Sequence, residues 1–441
     1  MTTVTQVAKS VQQVLSDVAE EAARTSGFVR RTSKLSGAKW AQTLVWGWMA
    51  KPDATLADLC DAAAAVGVSI TPQGLDARFS AASAECMRQV LEGAVRELIA
   101  AEPASVPLLE RFTGGVWLQD ATVVALPDEL EGVWRGCGGR QTHTASALKA
   151  VVRLDLSSGS LLGPYLSEGR EPERACKLQQ ELVPEDGLRI ADLGFWDLGV
   201  MASISQNDGY VLSRFKANTA VYDPDSAQRL ELASLLRASE GSVDQWVLMG
   251  AHHKLRLRVL AERVPEAVVE VRKREIRREG QKKGRTPSKA RLALCEYNVY
   301  VTNVPEEKLS FTEALVLARA RWQIEVLFRL WKSVGKIDDW RSKKPYRVLT
   351  ELYAKLTATL LMHWLTLLGC WRAANRSLVK ATYTGRKFAL LLASKMHCRR
   401  QLRDAIQLVE RCMSQGCRMH KRRKTPYTYQ LLLTPQLVAL A

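Results

Sequence analysis

The sequence has no hydrophobic run long enough to cross a membrane. Its most apolar run, residues 356–371, contains His363 and is shorter than the roughly 20 apolar residues that a transmembrane helix needs, so we interpret it as a buried helix. The first residues, Met-Thr-Thr-Val-Thr-Gln, lack the apolar segment of a signal peptide. We therefore expect a cytoplasmic protein with no membrane partner.

Motifs for metal and nucleotide binding are also missing. The nine cysteines form no CxxC pair, which indicates reduced thiols. Cys412, Cys417 and His420 lie close together in the sequence, but a fourth ligand with regular spacing is missing, so we expect no zinc site. No GxxxxGK[ST], HExxH or GxSxG sequence occurs, which leaves nucleotide hydrolysis, zinc proteolysis and serine hydrolysis without a motif.

Acidic residues are scarce relative to basic ones. The 441 residues include 46 Asp and Glu against 63 Lys and Arg, a formal net charge of +17. This charge would attract phosphate groups and make their binding salt-dependent. Nucleic acid is therefore the first partner to consider, and an ordinary basic soluble protein is the alternative.

Residues 1–105 have apolar residues at helical spacing. Residues 55–79 have the pattern helix, turn, helix, with Gly67 after the first helix, Thr71 as an N-cap and Pro72 at the first helical position. This pattern suits a DNA-binding helix-turn-helix, and a helical hairpin packed on its neighbours is the alternative. In the DNA-binding case the second helix would present Gln73, Asp76 and Arg78.

Residues 106–216 have an α/β pattern. A strand rich in Val and Thr contains Asp120, and a short apolar run, 188–192, ends at Asp192. Between them the sequence predicts a hairpin and then a helix, and after them another strand. These further elements span residues 148–156, 161–166, 173–182 and 209–215.

Residues 217–304 depart from this pattern. Residues 267–271 alternate in polarity, and residues 272–291 then hold ten Lys or Arg against two Glu. Such a run is compatible with a solvated loop or with an arm that follows DNA. Residues 292–302 are predicted to form a strand. The chain after residue 345 is predicted to be helical, with a further basic cluster at residues 420–424.

One stretch combines a carboxylate with two cations on an apolar helix. Residues 311–333 are predicted to form one helix, and residues 321–332 contain neither Gly nor Pro. At about 100° per residue, Arg321, Glu325 and Lys332 share one face. An ordinary Arg–Glu helix pair and a metal ligand beside phosphate-binding cations are both compatible with this local pattern.

The spacing Arg321-x3-Glu325-x6-Lys332, within Arg-Trp-Gln-Ile-Glu, resembles the carboxyl-terminal signature of the IS4 family of insertion-sequence transposases. The family's signature opens with Tyr where this chain has Ala318. The resemblance extends over about residues 50–365. It implies an α/β fold with an RNase H-like catalytic core, a mixed sheet with helices, interrupted by a β-rich insertion and flanked by helical N- and C-terminal regions.

The resemblance also implies an Asp-Asp-Glu triad of Asp120, Asp192 and Glu325, which would hold two Mg²⁺ ions, with Mn²⁺ as a substitute. Two such ions activate the attacking oxygen and stabilise the leaving oxygen of a phosphodiester. Asp192 could instead cap the helix that follows, although Asp197 is the better cap. Asp155 is a rival acid, but it precedes a Ser-Ser-Gly turn and is better explained as a turn residue.

By the same resemblance, Arg321, Lys332 and Arg214 would contact DNA phosphates. Tyr297 or Tyr300 lies near the place where relatives carry an aromatic residue that receives a flipped base, and core packing is the alternative. Further expected DNA contacts are Lys216, Arg272, Lys273, Lys282 and Lys283.

We therefore predict a bacterial, nucleoid-associated transposase that binds terminal inverted repeats and target sites in double-stranded DNA. It would act as a homodimer or larger assembly, by cut-and-paste transposition through a hairpin. Alternatives are a catalytically retired transposase acting as a DNA-binding repressor, which Ala318 and Leu193 motivate, and an RNase H-like nuclease that never joins strands. The predicted regions are a DNA-binding region (1–105), a first core part (106–216), an insertion (217–304), a second core part (305–371) and a basic tail (372–441).

Overall fold

The computed structural model describes residues 3–31, 34–103, 105–138, 145–239, 241–373, 375–419 and 426–440. The helices are α1 (Val4–Gln12), α2 (Ala19–Thr25), α3 (Gly37–Ala50), α4 (Leu56–Ala65), α5 (Pro72–Asp76), α6 (Ala81–Arg96), α7 (Pro107–Glu110), α8 (Lys177–Gln180), α9 (Leu198–Gln206), α10 (Leu232–Ala238), α11 (Glu266–Lys282), α12 (Lys289–Ala293), α13 (Phe311–Ala320), α14 (Trp322–Arg329), α15 (Pro345–Thr366), α16 (Leu378–Lys387), α17 (Ala389–Ser394), α18 (Arg399–Gly416) and α19 (Thr428–Leu433). Wider π-helical segments span Gln13–Val18, Leu330–Val334 and Leu367–Trp371. The strands are β1 (Val116–Leu126), β2 (Ser146–Asp155), β3 (Leu161–Glu168), β4 (Leu188–Ala191), β5 (Tyr210–Arg214), β6 (Val221–Tyr222), β7 (Arg229–Leu230), β8 (Val243–Met249), β9 (Leu255–Arg263) and β10 (Tyr297–Thr302).

The first of two compact units is largely helical. It consists of Met1–Ser105, Asp120–Glu171 and Gln323–Lys424. Its centre is α15, which is buried along most of its length and packs against α3 and α6. This confirms the predicted buried helix, and none of the helices within the described residues is long and apolar enough to cross a membrane. The strand order in this unit is β3-β2-β1, with the predicted β2–β3 hairpin antiparallel.

The second unit is built on a mixed sheet. It consists of Val106–Gln119, Pro172–Trp322 and Thr425–Ala441. Its strand order is β1-β4-β5-β10-β9-β8-β6-β7. The pairs β1–β4 and β4–β5 are parallel, and the later pairs are antiparallel. This mixed sheet confirms the predicted α/β fold class with an RNase H-like core. The five predicted regions stay a prediction, because each compact unit combines segments from several of them.

The predicted helix 311–333 is interrupted. Helix α13 ends at Ala320, Arg321 lies in a turn, and α14 passes after Arg329 into the π-helical segment. Residues 311–333 contain neither Gly nor Pro, so no helix-breaking residue accounts for the break at Arg321. Because a π turn holds an extra residue, the angle predicted for Lys332 from ideal α-helical geometry is also wrong.

Three other boundaries differ from the prediction. The alternating run 267–271 and the start of the charged run form helix α11, because Glu, Arg and Lys are good helix formers. The predicted helix 173–182 reduces to a 3₁₀ turn and α8, since Cys176 between them is extended. The predicted strand 292–302 begins only at Tyr297. The basic cluster 420–424 lies outside the described residues.

The N-terminal helix-turn-helix pattern forms as predicted at its caps but has a short second helix. The hydroxyl of Thr71 accepts a hydrogen bond from the Gly74 backbone N–H, and Pro72 begins α5. Helix α5 has only five residues, and the Asp76 carboxylate is bound by Lys344 at 2.6 Å and Arg347 at 3.0 Å. This arrangement favours the packed helical hairpin over DNA recognition by α5.

A close backbone contact aligns β1 with β4. A Cβ on Gly114 would lie 2.6 Å from the Gly187 backbone nitrogen and still closer to the Glu185 carbonyl oxygen. We expect Gly114→Ala to lower the free energy of unfolding by about 1–3 kcal/mol. Gly132→Ala is the control, because no atom lies within 4 Å of a Cβ there. Urea denaturation of both variants tests this, and equal stabilities would contradict it.

Candidate active site

Two of the predicted acids come immediately after residues that pair with each other in neighbouring parallel strands. In the second unit, Gln119 of β1 pairs with Ala191 of β4, and the paired register begins at Val116 and Leu188. Asp120 is the next residue after Gln119, and Asp192 is the next residue after Ala191. Both acids therefore follow residues at the same position in the register of the two strands.

Buried polar side chains fix the paired strands in front of these acids. Gln119 donates to the Gln179 carbonyl oxygen at 3.2 Å, and Arg189 of β4 donates to the same oxygen at 3.0 Å. The Gln179 amide donates to the Phe195 carbonyl at 2.9 Å. Because these three side chains are almost fully buried, their hydrogen bonds hold the loop after Asp192 against both strands.

The cap of the following helix is Asp197, as predicted. Its carboxylate accepts hydrogen bonds from the backbone N–H groups of Gly199 and Val200, at 2.8 and 3.1 Å. Asp192 begins a 3₁₀ turn without a side-chain cap hydrogen bond, and its side chain is half-buried. The Asp192 carboxylate is therefore not used for capping.

This difference predicts opposite results for two neighbouring acids. Asp197→Ala should lower the free energy of unfolding by about 1 kcal/mol, because it removes an N-cap, and should leave the rate of the DNA cutting that the resemblance implies within a few-fold. Asp192→Ala should stay within about 0.5 kcal/mol of the wild-type stability and lose cutting. Thermal melts and a DNA cleavage assay measure both quantities. The reverse pattern would contradict the assignment of Asp192.

Asp120 and its rival Asp155 have different surroundings. Asp120 is a half-buried residue of β1, and its carboxylate accepts a hydrogen bond from the Ala121 N–H at 2.8 Å. Asp155 accepts hydrogen bonds from the backbone N–H groups of Ser157 and Ser158, both at 3.0 Å. Asp155 is thus the turn residue that its sequence context predicts.

Glu325 and Lys332 belong to the first unit. Glu325 is half-buried in α14, and Lys332 lies in the π-helical segment that follows. The Lys332 ammonium donates to the Val123 carbonyl of β1 at 2.9 Å. This contact places the end of the helix on the strand that carries Asp120. Arg321, in the second unit, is half-buried in the turn between α13 and α14.

The donor chemistry of the three acids fits a hard divalent ion, since carboxylate oxygens are the ligands that Mg²⁺ prefers. The positions of the three acids, by contrast, do not form a complete ion-binding site. Among the described residues, no group of three or more His, Cys, Asp or Glu side chains is placed to hold an ion together. Asp120 and Glu325 belong to the first unit and Asp192 to the second, so neither unit alone contains the whole set.

The predicted DNA contacts of the second unit fall into an exposed and an inward-facing group. Arg214 at the end of β5, Lys216, Lys282 and Lys283 are exposed. Tyr297 is 3% exposed, and its hydroxyl donates to the Leu236 carbonyl at 3.1 Å, as the core-packing alternative predicts. Arg272 and Lys273 also face the protein, in contacts with residues 295–298.

The buried hydrogen-bond network of Gln119, Gln179 and Arg189 was not predicted from the sequence. Arg189 stands in an apolar strand, Leu-Arg-Ile-Ala, and a basic residue inside such a strand signals a buried polar contact. Gln119 and Gln179 carry no comparable signal, because neither side chain is charged.

Known proteins of one kind are similar to this chain. A family model described as a transposase DDE domain matches residues 113–361. The transposase for insertion sequence element IS231F of Bacillus thuringiensis subsp. israelensis is 29% identical over 78% of this chain and 76% of its own length. The transposase for IS1151 of Clostridium perfringens is 25% identical over 66% of this chain and 65% of its own. These findings confirm the resemblance, and the chain belongs to the family of transposases with a DDE domain.

Proposed function

We propose that this transposase uses Asp120, Asp192 and Glu325 as one metal-binding set to cut the terminal inverted repeats of an insertion sequence and to join them to target DNA. The family establishes a DDE transposase that acts on DNA with a divalent metal. The register of β1 against β4 supports the choice of Asp120 and Asp192.

Asp120 and Asp192 are suited to share an ion because of this register. Neighbouring strands lie about 4.8 Å apart, so acids that follow paired residues begin from adjacent backbone positions. Two carboxylates at such a separation repel each other, and a cation between them relieves the repulsion.

Glu325 is supported as the third member by the contact between Lys332 and Val123. Glu325 lies seven residues before Lys332, which is about 10 Å along a helix. Asp120 lies three residues before Val123, which is also about 10 Å along a strand. Each acid therefore lies within about 10 Å, along its own segment, of a residue in this contact. We infer that DNA and metal together complete the set.

Mg²⁺, as a pair of ions with Mn²⁺ as a substitute, is the cofactor that we propose. Divalent ions activate the attacking oxygen and stabilise the leaving oxygen at a phosphodiester. The residues of the chain hold and orient the substrate: Arg214 and Lys216 present exposed cations to DNA phosphates, and Arg321 adds a guanidinium ahead of α14.

We further propose that the second strand is cut through a hairpin, with Tyr300 as the aromatic residue available to DNA. Tyr300 is half-buried and pairs with Arg214 across β5 and β10, whereas Tyr297 is in the core. We also propose that the protein acts on the two element ends as a dimer or larger assembly and is associated with the nucleoid. The net charge of +17 supports binding to nucleic acid.

Incubating the protein with labelled DNA that carries the element's own ends, with Mg²⁺ or with EDTA, tests this function. We expect metal-dependent cuts at the ends, hairpin intermediates and strand-transfer products. Cutting without any joining would favour a nuclease. Tight binding to the ends without cutting would favour a repressor.

A further inference from the structure

We propose that the outward face of α11 is a sequence-independent binding surface for the phosphate backbone of duplex DNA. This inference rests on the proposed function and adds a second DNA contact to the cleavage site. Of the α11 residues that the charge run suggested, it keeps Lys282 and replaces Arg272 and Lys273 with Arg274 and Arg278.

The inner face of α11 fixes the helix to the sheet. Val269 is buried. Arg272 donates to the Tyr297 carbonyl at 3.1 Å and to the Asn298 side chain at 2.7 Å, and Lys273 pairs with Glu296 at 3.3 Å. Both cations are therefore committed to the protein, and they hold the helix in one orientation.

The outer face carries a stripe of cations. Arg274, Arg278 and Lys282 are all exposed, and at about 100° per residue they lie within about 80° of one another around the axis. Their span of eight residues is about 12 Å, over which duplex DNA presents about seven charges. Arg277, also exposed, borders the stripe.

The acids of α11, all of them described residues, border this stripe without forming ion pairs with its cations. Glu270 lies about 40° from Arg274 and Glu275 about 20° from Lys282 around the axis, while Glu279 pairs with Arg291 at 3.7 Å. Within the part of the chain that the structure describes, no ion pair is formed by Arg274, Arg277, Arg278 or Lys282.

Arg214 acts on the opposite side of α11 from the stripe. Burial and the positive charge of Arg214 lower the pKa of Arg272 on the inner face, so the outer stripe is a DNA contact separate from Arg214. The stripe suits phosphates because its guanidinium and ammonium groups carry charge without an apolar reading surface.

The test compares two triple variants with the same change in charge. In one, Arg274, Arg278 and Lys282 of α11 become Gln. In the control, Arg400, Arg403 and Arg411 of the exposed face of α18 become Gln. Both are made with Glu325→Gln so that the DNA stays whole. Fluorescence anisotropy gives the dissociation constant for duplex DNA at several salt concentrations, and melting curves check folding.

We expect the α11 variant to reduce the slope of log affinity against log salt by about 2.7, which is about 0.9 for each phosphate that the variant no longer neutralises. The reduction should be the same for DNA with and without the element's ends, and the single change Lys282→Gln should reduce the slope by about 0.9. The α18 control should reduce it less.

An unchanged slope in the α11 variant, or a loss confined to DNA with the element's ends, would overturn this inference and leave the cleavage proposal intact. Failure of the cleavage proposal has a different signature, namely wild-type protein that binds DNA but neither cuts nor joins it. If the α11 triple variant unfolds, the slope of Lys282→Gln decides the question.

Discussion

Glu325→Gln is expected to slow DNA cutting by about a thousandfold or more while leaving the affinity for DNA within about twofold. A ligand that helps to hold the metal contributes several kcal/mol to transition-state stabilisation, and about 1.4 kcal/mol corresponds to a tenfold rate. Gln keeps the length and shape of Glu but removes the negative charge. Single-turnover cleavage of labelled element ends and anisotropy measurements give the rate and the affinity.

Asp338→Asn is the matched control for this prediction. Asp338 is an exposed residue of the same unit, shortly after the π-helical segment, so its change removes one negative charge away from the proposed set. Its cutting rate should stay within a few-fold of the wild type. A Glu325→Gln protein that cuts as fast as Asp338→Asn would remove Glu325 from the set.

Lys355→Met should lower the free energy of unfolding by about 3–5 kcal/mol, because it leaves a buried carboxylate without its cation. Lys355 is 2% exposed. Its ammonium bonds to Glu351 at 2.6 Å and to the carbonyls of Lys336 and Asp339 at 3.0 and 2.6 Å. Burial raises the pKa of Glu351 and lowers the pKa of Lys355, so each charge depends on the other. Urea denaturation measures the loss.

The double variant Lys355→Met/Glu351→Leu separates this explanation from a simple loss of packing. Removing both charges leaves no unpaired ion, so the double variant should be more stable than Lys355→Met alone. The same buried lysine holds the segment that follows Lys332, so we also expect slower cutting in the single variant. A double variant less stable than the single one would contradict the ion-pair account.

Strong local signals predicted much of the fold. The β2–β3 hairpin, the short strand before Asp192 and the Asp197 cap depend on neighbouring residues, and all three form as predicted. The turn at Arg321 was not predictable, because neither Gly nor Pro marks a break between 311 and 333. The charged run became helix α11 because its residues favour helix more strongly than the alternating run at its start favours a strand.

The candidate site was predicted in part. Asp120 and Asp192 stood out because an acid in or after an apolar strand is rarely idle, and the register then related them. The orientation of the cations could not be predicted from the sequence. Arg272 and Arg274 are two residues apart, yet Arg272 faces β10 and Arg274 is exposed. Only the packing of Val269 and its neighbours decides which side of the helix faces outward.

Counting the Mn²⁺ ions held by the protein on element-end DNA tests the central claim most directly, because electron paramagnetic resonance detects free Mn²⁺ and needs no catalysis. After subtraction of ions bound by DNA alone, we predict that the wild type takes up Mn²⁺. Asp120→Asn, Asp192→Asn and Glu325→Gln should each take up less, and Asp197→Asn should match the wild type. Uptake by all three variants equal to that of the wild type would contradict the account.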